Sequence, residues 1–108
     1  MRVNLGSARV FPDVVQDGRP AKELVLKPIE EASEVHAAWE RLSSAMDEGR
    51  YLDVTIARED MLDEIADVLQ SLGNLAYALG VTNLAPYMAR CEDKNRKRGR
   101  YGSGGRNE

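Results

Sequence analysis

Apolar positions along the chain fall into two long helical stripes and one shorter one. Ile29, Ala32, Val35, Trp39, Leu42 and Met46 recur at steps of three and four, the spacing of one helix face. Pro28 suits the first turn of that helix, where a missing N–H costs nothing, and Gly49 ends it. From about Asp60 to Leu79 runs the strongest pattern: Leu62, Ile65, Val68, Leu69, Leu72, Leu75, Ala76 and Leu79, with Gly80 placed as a C-terminal cap. Thr82 and Asn83 are suitable N-caps for a third helix over roughly Leu84–Lys97, with Pro86 tolerated in its first turn. Residues 50–58 alternate loosely and fit either a short extended link or a helical turn. Before Pro20 the short apolar patches are broken by Gly6, Pro12 and Gly18, which reads as an extended arm over residues 1–21.

The pattern therefore predicts an all-α fold, a bundle of three main helices over residues 22–100, followed by a flexible Gly-rich tail over 101–108. A chain of 108 residues is one domain's worth. Each helix has one apolar stripe and little to bury it against, so completion of a four-helix-bundle-like core by dimerisation is expected.

Composition changes this picture only in places. Aromatics are 6% and charged residues 31%, so the core must be aliphatic. Cys91 is alone, which excludes an intrachain disulfide framework or cysteine zinc site. No apolar run reaches the ~20 residues of a membrane helix, and no signal peptide is evident, so a cytoplasmic location away from membranes is expected. Charge is informative once divided. Net charge is −3, but residues 94–108 hold six Lys/Arg against one Glu, leaving nine Lys/Arg against 17 Asp/Glu before them.

Part of that acidic excess is ordered. Glu31 and Glu34 stand three apart on the first helix, and Glu64 and Asp67 three apart on the second. Such spacing makes two carboxylates neighbours on one face. Antiparallel pairing would bring both sets into one cleft, where like charges oppose folding and each raises the other's pKa. A hard divalent cation relieves that repulsion, bridges phosphate oxygens and activates water. A solvated acidic face also explains Glu31 and Glu34, and Glu30 and Glu31 suit the positive end of a helix dipole. Glu64 and Asp67 fit that explanation less well. They lie inside the most apolar helix and begin a polar strip that continues through Ser71 and Asn74. Downstream, Lys94-Asn95-Arg96-Lys97-Arg98 either complements a helix C-terminus or binds phosphate.

Lys27-Pro28-Ile29-Glu30-Glu31-Ala32-Ser33-Glu34 resembles the K-x-x-E-E-x-x-E motif of the MazG-like all-α nucleoside triphosphate pyrophosphohydrolases. Glu64-Ile65-Ala66-Asp67 is similar to that family's E-x-x-D, and Lys94-Asn95-Arg96-Lys97-Arg98 to its K-N-x-x-R. The three motifs occur in the family's order. The resemblance implies a Mg²⁺-dependent enzyme, with Mn²⁺ as a substitute, that cuts a (d)NTP into the monophosphate and pyrophosphate in nucleotide-pool house-cleaning. It implies Glu31, Glu34, Glu64 and Asp67 as metal ligands, with Glu30 or a ligand carboxylate positioning the attacking water. It implies Lys27, Lys94, Asn95 and Arg98 as phosphate contacts, and a homodimer or homotetramer as the working form. Two features depart from the family: the 29 residues between Glu34 and Glu64 are a long separation, and Cys91 stands where a Lys is common.

Trp39 on the apolar stripe suits the core, and as a second role stacking on a base. Asn74 suits a contact to base or sugar as well as a hydrogen bond across a dimer. His36 lacks the spacing from Glu31 and Glu34 that a di-iron site needs. A reading of another class also stands: a non-catalytic helical binding module whose basic C-terminal tail contacts nucleic acid or a protein partner. On the enzyme reading nucleic acid is not an expected partner.

Overall fold

The computed structural model describes residues 1–15 and 17–102. Among these the secondary structure is helical, with no strand: α1 (Lys22–Asp47), α2 (Tyr51–Ala78) and α3 (Ala85–Lys97). The chain divides into two compact units, residues 8–80 with α1 and α2, and residues 1–7 together with 81 onward, which hold α3. Of the Gly-rich tail only Tyr101 and Gly102 are described, and the expected flexibility of the rest lies outside the described residues.

In the larger unit α1 and α2 form a long hairpin. At 26 and 28 residues, each helix is roughly 40 Å long. Two helix starts differ from the sequence-based expectation. α1 begins at Lys22, so Pro28 sits inside it, where it removes one backbone hydrogen bond. The run Lys22-Glu23-Leu24-Val25-Leu26-Lys27 contains no breaker, and helical propagation carries through the proline. Likewise α2 begins at Tyr51, which makes residues 51–58 helix rather than link. Gly49 takes φ +67, a conformation open to glycine, and lets the chain reverse in three residues. Arg50 then ties the turn by pairing with both Glu48 and Asp53.

The seam between α1 and α2 is built from small side chains. Ala38 and Ala45 on α1, and Ala57, Ser71 and Ala78 on α2, are buried, and among the described residues no large side chain is fully buried. These positions recur every seven residues, which keeps one narrow face of each helix toward the other. The same steps include Glu31 on α1 and Glu64 on α2. Two carboxylates thus occupy register positions where the rest of the seam has alanine or serine.

The predicted apolar stripes lie elsewhere. Ile29 is 65% exposed, Trp39 49% and Met46 62%, and Leu62, Ile65, Leu72 and Leu79 on α2 are exposed as well. Trp39 is therefore not a core residue of the chain by itself; its ring lies 5.7 Å from that of His36 on the open face. Residues 8–15 and 17–18 run along the last turns of α2. Phe11 N–H donates to Asn74 Oδ1 at 3.1 Å, Gln70 Nε2 to the Arg9 carbonyl at 2.9 Å, and Gly18 N–H to the Ala78 carbonyl at 3.2 Å. Gly73 allows this approach, since a Cβ there would stand 3.0 Å from the Ala8 Cβ.

In the smaller unit, Arg2 forks onto Glu92 of α3 through bonds of 2.6 and 3.0 Å. The N-cap of α3 is Leu84 rather than Thr82 or Asn83 and has no side-chain cap bond; Asn83, one residue earlier, accepts the Ala85 N–H on its Oδ1 at 3.0 Å in a local turn. No helix of the described residues is long and apolar enough to cross a membrane.

Candidate carboxylate site on the hairpin

Antiparallel pairing brings the two carboxylate sets together. One ligand oxygen each of Glu31, Glu64 and Asp67 lies within 4.8 Å of the other two. Glu31 and Glu64 are half-buried, while Asp67 is exposed. Burial first, and then the negative charges of Asp67, Glu34 and Glu31, push the Glu64 carboxyl above its ordinary value. Glu34 is exposed and stands outside this tight group, but its charge is felt at Glu64.

The other predicted residues take varied places. Lys27 Nζ lies 3.4 Å from Glu30 and 3.5 Å from Glu31, and these contacts hold its ammonium above its ordinary value. Glu30 is exposed at the rim, one turn from Glu34. Asn74 is only 5% exposed, and its oxygen is engaged by Phe11 and by Gln70 Nε2 at 3.1 Å. Instead of facing a ligand or crossing a dimer, that oxygen pins the N-terminal arm. Ser71, the other member of the polar strip, donates from Oγ to the Val68 carbonyl at 2.7 Å. Along the strip Ser71 and Asn74 are thus buried and Glu64 is half-buried, while Asp67 stays exposed.

Lys94, Asn95 and Arg98 belong to α3 and its end, in the smaller unit. Arg96 and Lys97 are engaged by Glu92 and Asp93. Lys94 and Arg98 are exposed with no ion pair among the described residues, and Asn95 Nδ2 lies 3.5 Å from Cys91 Sγ.

Arg41 was not foreseen. Its positive charge opposes the others at Glu64, pulling that carboxyl down. The only signal for it in the sequence is its place seven residues after Glu34, on the same helix face.

The set fits a hard cation chemically. All three groups offer carboxylate oxygen, the donor Mg²⁺ prefers, and too few are present to displace all its waters. Comparison of the chain with protein-family models, with curated proteins and with solved structures gives no match.

Proposed function

We propose that the chain is a Mg²⁺-dependent nucleoside triphosphate pyrophosphohydrolase of the MazG-like all-α kind, releasing pyrophosphate and a (d)NMP. The observation that supports this most is that Glu31 and Glu64 occupy positions of a seam otherwise made of alanine and serine, with Asp67 beside them within the same 4.8 Å group. Seating acidic groups where small neutral ones pack costs folding free energy, which a bound divalent cation offsets.

When bound, Mg²⁺ or Mn²⁺ supplies charge neutralisation at the phosphates and lowers the pKa of a water. Glu31, Glu64 and Asp67 would hold it, with Glu34 adding charge from the adjacent turn. Glu30 at the rim takes the proton as water oxygen bonds to the α-phosphorus and the bond from that phosphorus to the bridging oxygen breaks. Lys27 orients Glu30 and Glu31 through its two contacts. The reading rests on the hairpin unit; Lys94, Asn95 and Arg98 retain a phosphate role only through the motif resemblance.

The open apolar stripes support a homodimer or homotetramer. A face containing Ile29, Trp39 and Met46 is what a second hairpin of the same kind would cover. The test is pyrophosphate release from a panel of canonical and modified triphosphates with Mg²⁺. Activity is expected in the wild type and not in Glu64→Ala or Asp67→Ala; activity surviving in both variants overturns the reading.

A further inference from the structure

Beside the carboxylate group, on the same unit, a cleft of about 660 Å³ runs along the hairpin toward the α1–α2 turn. That volume lies within the range of roughly 300–1,000 Å³ usual for small-molecule sites. Its apolar lining comes from Ala37, Ala45, Ile56 and Ala57; Arg41 and Ser44 stand along it, and Glu40, Asp53 and Asp60 also line it, Asp53 being paired with Arg50. Its lining residues continue the helix faces of the carboxylates: Asp60 precedes Glu64 by four on α2, and Arg41 follows Glu34 by seven on α1.

The two arginines of the cleft differ. Arg50 is consumed by Glu48 and Asp53 in the turn. Arg41 is exposed and has no ion pair among the described residues, although its charge reaches Glu64. A planar guanidinium left unpaired at the border between a carboxylate group and a partly apolar cleft has the geometry to fork onto phosphate oxygens. Its position also matches the shape of a nucleotide, which has an anionic end and a flat, largely apolar end.

We propose that Arg41 is a phosphate-binding residue and that the cleft leading to the α1–α2 turn receives the nucleoside of a nucleoside triphosphate. The inference rests on the proposed function for its choice of ligand, but it concerns residues outside the three motifs. Arg41 takes phosphate oxygens that a cation on the carboxylates leaves free, and the base lies over the alanines of the lining.

The test is calorimetric titration of the full chain, with Mg²⁺ present, using α,β-imido-dUTP, α,β-imido-dATP and inorganic tripolyphosphate. Arg41→Ala is expected to weaken all three by roughly 10- to 100-fold, the loss of a charge-assisted fork, with Arg41→Lys between it and the wild type. Ser44→Phe, which narrows the cleft, is expected to weaken the two nucleotides and leave tripolyphosphate unchanged. Thermal midpoints in EDTA confirm folding, since both positions are exposed. Wild-type affinity in Arg41→Ala, or no binding of any probe by the wild type, overturns the inference. A wild type that binds through Arg41 but releases no pyrophosphate overturns the hydrolase reading alone. Undiminished turnover in Arg41→Ala overturns this inference alone.

Discussion

Asn74 provides a sharp test of how the structure assigns roles, because its oxygen serves two donors at one buried point. Asn74→Ala removes the acceptor for Phe11 N–H and for Gln70 Nε2, each at 3.1 Å. Two such bonds contribute about 1 kcal/mol each net, and alanine recovers about 0.5 kcal/mol of helix propensity. The expected cost is therefore about 1.5 kcal/mol. At 4–8 °C per kcal/mol for a domain near 100 residues, the thermal midpoint should fall by about 6–12 °C. Hydrogen exchange at the Phe11 amide should accelerate in parallel, as the segment around Phe11 leaves α2. Gln70→Ala also loses two bonds, to the Arg9 carbonyl and to Asn74, and should cost a similar amount, but because it leaves the Phe11 bond in place it should accelerate Phe11 exchange less. If Asn74→Ala leaves both the midpoint and Phe11 exchange unchanged while weakening nucleotide binding, the clamp assignment is wrong and the side chain meets a ligand.

Glu64→Gln should raise the thermal midpoint in EDTA and abolish any stabilisation by Mg²⁺. The Glu64 carboxyl is raised above its ordinary 4.5, so its contribution is fully present below that value and is lost as pH rises through the raised one. Wild-type apoprotein should thus lose stability across that window where Glu64→Gln does not, as midpoints measured from pH 4 to 7 will show. In the smaller unit the sign is opposite. The hydrogen bond from Arg2 holds the Glu92 carboxyl below 4.5, so its contribution is present above 4.5 and is lost as pH falls through the lowered value. Carboxyl-carbon NMR of Arg2→Ala should show Glu92 titrating higher than in the wild type; an unmoved titration refutes the pairing. Ile29→Lys combined with Trp39→Asp should reduce the mass by light scattering to that of a 12.0 kDa chain, and an unchanged multiple of it refutes the apolar faces as the interface.

Much of this fold is legible in the hydropathy pattern, and the exceptions have physical causes. Gly49 and Gly80 end their helices as their φ values of +67 and +83 require. Pro28 misled because its cost of one lost hydrogen bond is small against the helix formers on both sides. Ile29, Val35 and Trp39 announce an apolar face, but periodicity does not say whether the partner of that face belongs to the same chain. Here the intrachain partner takes the alanine face, which hydropathy barely registers. The Glu31, Glu64 and Asp67 grouping was readable because three-residue spacing and antiparallel pairing suffice to assemble it. Asn74 and Arg41 were not, since one depends on where an irregular arm lies and the other on a cleft shaped by both helices.

The most direct test of the central claim is Mg²⁺-dependent pyrophosphate release, with Glu64→Ala and Asp67→Ala assayed beside the wild type at matched thermal stability in EDTA. Losing a metal ligand should cost more than the ~10–100-fold typical of a group merely supporting one. Turnover in the wild type that requires Mg²⁺ and falls by at least that much in both variants is the predicted result. Turnover that ignores Mg²⁺, or that persists in both variants, contradicts the assignment of the seam carboxylates as a metal site.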